Sequence, residues 1–126
     1  MDTHAAQSSV QVSSHPNLQS TKILDWEHPC VRKLAGELRL QAQSSRNYVQ
    51  AVHQQLTSRL RPIYDLDELQ PASVTLERGA GSCSQRMACL EAISRAGGGV
   101  CTRVRVLHVK GAFWYPRFPW LRAFIP

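Results

Sequence analysis

The 126-residue sequence contains no run of about 18 apolar residues, so nothing in it reads as a membrane span. Its first 25 residues lack the basic start and apolar core of a secretory signal. The expected compartment is therefore cytoplasmic, with the four cysteines kept as thiols. Charged residues make up only 19%, below the average of about 25%, while 43% are hydrophobic. That balance excludes a wholly disordered charged tail and suits one domain of ordinary size. Acidic residues nearly vanish in the second part. Residues 1–77 carry 7 Lys/Arg against 8 Asp/Glu, whereas residues 78–126 carry 8 Lys/Arg and the single Glu91. A basic half can attract an acidic partner, but solvated arginines give the same count, and nucleic acid is not the expected ligand.

Residues 1–21 are rich in Ser, Gln, Thr and His without an apolar period, and are expected to form a disordered leader before a domain over 22–126. His4 and His15 read as surface residues there. A helix is expected from near Asp25, with Asp25 as an early cap and Pro29 in the first turn. Val31, Leu34, Leu38 and Ala42 form its apolar stripe. A second helix over 45–60 has Tyr48, Val49, Val52, Leu56 and Leu60 on one face, with His53 beside it as a half-buried structural histidine. Residues 61–82 carry Pro62, Pro71 and two glycines and read as loop. Asp65, Asp67 and Glu68 within it lack the spacing of a calcium loop and read as solvated surface.

A third helix is expected over 83–96, its apolar face made by Met87, Leu90, Ala92, Ile93 and Ala96, ended by Gly97–Gly99 through a left-handed glycine. Residues 100–110 read as a strand with Val104, Val106 and His108 on one face. Helices feeding a late strand predict an α+β fold, a helical N-terminal part packed on a small antiparallel sheet. Six of the nine aromatics fall between Phe113 and Phe124, interleaved with Arg117 and Arg122. Core packing or a protein partner at 113–124 explains them better than a stacking platform for single strands.

The chemistry concentrates at Gly81-Ser82-Cys83, a turn that delivers a cysteine to a helix N-terminus. The dipole and the unpaired N–H groups at such a position favour a thiolate, which is the nucleophilic form, and can stabilise an oxyanion beside the attacked carbon. The intervals Cys83–Cys89–Cys101 do not make the paired Cys-x-x-Cys knuckles of a zinc site, and Cys30 lies far away beside Pro29. Cys89 reads as a small core residue. Neither a metal nor a cofactor is expected.

The segment from Thr75 to Arg103 resembles the nucleophile segment of the transglutaminase-like superfamily. Thr75, Leu76, Gly79, Gly81, Cys83, Ala88, Arg95, Ala96, Gly98 and Arg103 match that pattern in order. The resemblance implies a papain-like α+β core and a Cys-His-Asp triad acting on amides through a thioester. It places the nucleophile at Cys83 and sets Ser84 and Gln85 where backbone N–H groups face the substrate. It also implies a histidine and an acid on strands after Arg103. His108 is the only histidine after Cys83, and no acidic residue follows Glu91. His108 is therefore the weak candidate for the base, on an earlier strand than the resemblance implies.

Two readings stay open. In the first, the chain is an incomplete papain/transglutaminase-like core, stopping before the strands that carry the histidine and acid, and is inactive or unstable by itself. In the second, the scaffold is retained for binding. The leading expectation is a transglutaminase-like cysteine hydrolase or acyltransferase domain acting on a peptide or amide substrate. The alternative is a non-catalytic transglutaminase-like scaffold that binds a protein or acidic partner.

Overall fold

The computed structural model describes residues 15–97, 100–103, 112 and 116–123. Of the strand expected over 100–110, residues 104–110, His108 among them, lie outside the described residues, as do the aromatics at 113–115, while residues 100–103 are described and are not strand. A 3-10 turn at Pro16–Leu18 is followed by α1 (Pro29–Gln41), α2 (Ser45–Arg59), β1 (Arg61–Pro62), α3 (Ala72–Arg78), β2 (Ala80–Gly81) and α4 (Cys83–Ala96). A second 3-10 turn spans Pro119–Ala123.

The apolar stripes read from the sequence meet in one core. Val31, Leu34 and Ala35 of α1, Tyr48, Val52 and Leu56 of α2, and Cys89, Ala92 and Ile93 of α4 are buried together with Leu60, Ala72 and Leu76. Tyr48 is completely buried, and its hydroxyl donates to the carbonyl of Ile93, joining α2 to the end of α4. Burial pushes that phenol up to about 12, while the Arg39 guanidinium stacks 5.4 Å from the ring centroid. The same ring explains Gly97. Its φ is −74°, so Gly97 itself is not left-handed, and Gly98 and Gly99 lie outside the described residues. Glycine is needed at position 97 for space, because a Cβ there would run into the Tyr48 ring.

Three further expectations change. The leader read as 1–21 includes an ordered turn: Leu18 is buried and the Gln19 carbonyl accepts from Arg95 Nη1 at 2.8 Å. Asp25 does not cap α1. His28 does so, its Nδ1 accepting the Cys30 N–H at 3.2 Å. Asp25 instead caps α3, accepting the Ser73 N–H at 3.0 Å on Oδ1 and the Ser73 hydroxyl on Oδ2. The reason is local: Pro71 stands at the N-cap of α3 and offers no side-chain acceptor, so the orphan donors are met from a segment far away in sequence.

The third difference is the sheet. The expected loop over 61–82 contains α3 and a two-stranded parallel pairing, Arg61 opposite Ala80 and Pro62 opposite Gly81. This pairing is parallel where an antiparallel sheet was expected. Parallel strands require a crossover, and α3 supplies it. The bonds are Arg61 N–H to Gly79 O at 3.0 Å and Ile63 N–H to Gly81 O at 3.1 Å. The fold is thus broadly α+β, and among the described residues helices dominate and the sheet is a two-stranded clamp at the entry to α4. No helix among the described residues is long and apolar enough to cross a membrane.

Candidate active site around Cys83

The chain reaches Cys83 through a tightly held turn. Gly81 has no room for a side chain: a Cβ there would lie 2.8 Å from Thr75 Cγ2 and 3.2 Å from Gln85 Cβ. Ser82 caps α4, its hydroxyl accepting the Gln85 N–H at 3.2 Å, and Gln85 Oε1 accepts the Ser82 N–H at 3.0 Å. This reciprocal capping box satisfies two donors at once. Gln85 is further held by Arg78 Nη2, 2.6 Å from Oε1, and donates through Nε2 to Asp67 O at 3.0 Å.

The Gln85 N–H is given to the cap and its side chain is buried. It positions the turn. The N–H groups of Cys83 and Ser84, the first two positions of α4, have no hydrogen bond among the described residues. Cys83 and Ser84 are both exposed. Cys83 is therefore an accessible thiol at a helix start with two donors unspent beside it.

Cys83 lies on the wall of two cavities. One, of about 210 Å³, is walled by His53, Leu56 and Thr57 of α2 and by Arg86, Met87 and Leu90 of α4. The other, of about 630 Å³, is lined by Ile23 and Leu24 on one side, Ser84, Met87 and Ala88 on the other, and the carboxylates of Glu68 and Glu91. Met87, expected in the core, is 48% exposed and forms part of both walls. Ala88 is buried in its place, beside Cys89, Ala92 and Ile93, which are in the core as expected.

The structure thus brings His53 to Cys83's cavity. Sequence reasoning set that histidine aside as a half-buried structural residue, but it is exposed. Its position next to Val52 on α2 was legible; that α2 packs with this edge beside the start of α4 was not. His108 is outside the described residues.

The acidic loop residues serve structure. Asp65 Oδ1 accepts the Asp67 N–H at 2.9 Å and Oδ2 pairs with Arg78 Nη1 at 2.9 Å. The Asp67 N–H, then Arg78 and Gln85, hold the Asp65 carboxyl well below the usual carboxylate range. Glu91 is shifted upward by burial, opposed by Arg95 and Thr102. Arg95, nearly buried, donates to Thr102 Oγ1, Thr102 O and Gln19 O and so ties both flanking segments to α4.

All four cysteines are free thiols. Cys89 is buried and bonds to Ala72 O at 3.5 Å, with burial pushing it up to about 12. Metal-ligating side chains that converge among the described residues do so away from this helix, at His28, Cys30 and Glu77. In the basic aromatic segment, Trp120 is 64% and Phe118 39% exposed, their rings edge to face at 6.2 Å.

No protein-family model, curated protein or solved structure matches the chain.

Proposed function

We propose that the chain is a transglutaminase-like cysteine hydrolase or acyltransferase domain with a papain-like core, in which Cys83 attacks the carbonyl of an amide substrate. One observation carries the reading: Cys83 is exposed at the first position of α4, beside two unspent N–H donors and on a cavity wall shared with His53. A thiolate there adds to the carbonyl, the developing oxyanion finds the N–H groups of Cys83 and Ser84, and the amine leaves with a proton to give a thioester. Water or an amine then takes the acyl group. Four free thiols support a cytoplasmic setting.

The base is a histidine. The resemblance points to His108, whereas the cavity geometry favours His53. Turnover of amide and thioester substrates by Cys83→Ala, His53→Asn and His108→Asn variants tests both assignments. The reading expects Cys83→Ala to abolish turnover and His53→Asn to lower it by a factor of about 10²–10⁴. A drop confined to His108→Asn would move the base, and unchanged turnover in Cys83→Ala would remove the enzyme reading. The exposed Trp120 beside Phe118 favours a second reading, a non-catalytic scaffold that binds a protein or acidic partner. Partner binding that survives Cys83→Ser, with no turnover in any form, would support it.

A further inference from the structure

The second group of reactive side chains lies where α1 begins and α3 ends. His28 is the N-cap of α1, Cys30 stands two residues on, and Glu77 is the penultimate residue of α3. The thiol, one imidazole nitrogen and one carboxylate oxygen lie within 4.8 Å of one another. His28 Nε2 is 4.0 Å from Glu77 Oε1, and both side chains are open to solvent, at 42% and 62%. We propose that His28, Cys30 and Glu77 bind one divalent cation of the zinc class, with the remaining position taken by water.

The donor set selects the ion. Sulfur, nitrogen and oxygen donors together suit Zn²⁺, which takes three protein ligands and leaves a fourth place open. Hard cations such as Ca²⁺ and Mg²⁺ prefer oxygen alone. Ligand atoms around a tetrahedral zinc sit roughly 3–4 Å apart given bonds of about 2.0–2.3 Å, so modest rotations of the two exposed side chains close the present spacing. The Cys30 thiol donates to Ser73 O at 3.8 Å, a weak bond that coordination as the thiolate gives up.

Charge favours the same ion. The Cys30 sulfur and a Glu77 carboxylate oxygen lie within 4.8 Å of one another. On binding, the thiol would release its proton to solvent, and thiolate plus carboxylate would neutralise the ion. A neutral imidazole has a single lone pair, and here it accepts the Cys30 N–H at 3.2 Å. Uptake of the ion exchanges this cap bond for coordination, so the Cys30 amide reports loading directly. The site would tie α1 to α3, independently of the chemistry at Cys83.

The test uses the full chain titrated with Co²⁺ alone, then with Zn²⁺ as competitor. One equivalent of Co²⁺ is expected to give a thiolate-to-metal charge-transfer band that Zn²⁺ removes, with a shift of the Cys30 amide resonance. The band should vanish in Cys30→Ser and persist in Cys83→Ser. Glu77→Gln, an exposed change that leaves the fold in place, should weaken Co²⁺ binding about tenfold or more, since even loss of an outer-shell partner costs a metal site about that much. Absence of the band, its survival in Cys30→Ser, or equal affinity in Glu77→Gln would overturn the proposal.

Discussion

Arg78 Nη2 donates to Gln85 Oε1 at 2.6 Å, and that oxygen also accepts the Ser82 N–H at 3.0 Å. One buried amide therefore joins the end of α3 to the turn that presents Cys83. Arg78 extends the link through Nε to Ala80 O and through Nη1 to Asp65. The position of the cysteine is set by this network as much as by its own helix.

Gln85→Leu is expected to leave the Ser82 N–H and the Arg78 guanidinium without their acceptor. The cost should be about 1–3 kcal/mol, measured by urea unfolding, and Cys83 should lose reactivity with it. Gln85→Glu keeps the acceptor and should retain more of both.

Asp25→Ala removes the acceptor for two Ser73 donors at the start of α3. A stability loss of about 1–2 kcal/mol is expected from the cap. Asp25→Asn, which can still accept the N–H, should lose less. Equal stability of the alanine variant and the wild type would contradict the long-range cap.

Gly97→Ala drives a methyl into the Tyr48 ring. Overpacking of this kind costs about 1–3 kcal/mol, and a lowered thermal midpoint should report it. Alanine would be stabilising if position 97 merely ended a helix.

The acid side of the stability curve should carry Asp65. Its carboxyl is depressed in the folded chain from an ordinary 3.8. The stabilisation is complete above that value and is lost as pH falls below it, because the unfolded chain then binds the proton first. Asp65→Asn should flatten the dependence of stability on pH below about 4. An unchanged slope would show that the hydrogen bonds from Asp67 and Arg78 do not depress this carboxyl.

The helices that carry most of the core were legible because α1, α2 and α4 repeat apolar residues at helical spacing, and Val31, Leu34, Tyr48, Val52, Leu56 and Ile93 are buried as that spacing predicts. Short elements were not. The strands are two residues each, too brief for any alternation, and α3 is seven residues with Ser, Val and Thr among them. Cys83 at a helix start followed from the Gly81-Ser82-Cys83 turn and the apolar spacing after it. The exposure of His53 and Met87 did not, because a stripe gives the face of one helix and says nothing about which neighbour shares its edge. The bonding of the Gln85 N–H and amide likewise shows only in the fold.

Covalent capture of an acyl group tests the central claim most directly. The full chain is exposed to a limiting amount of a thioester acyl donor, and the modified cysteine is located by peptide mass spectrometry. Cys101, also exposed, and Cys89, buried, serve as comparisons within the same chain. The account predicts acyl on Cys83 well ahead of Cys101 and none on Cys89 until the chain is unfolded, with slower capture in His53→Asn. Acylation of Cys83 no faster than that of Cys101 would contradict it.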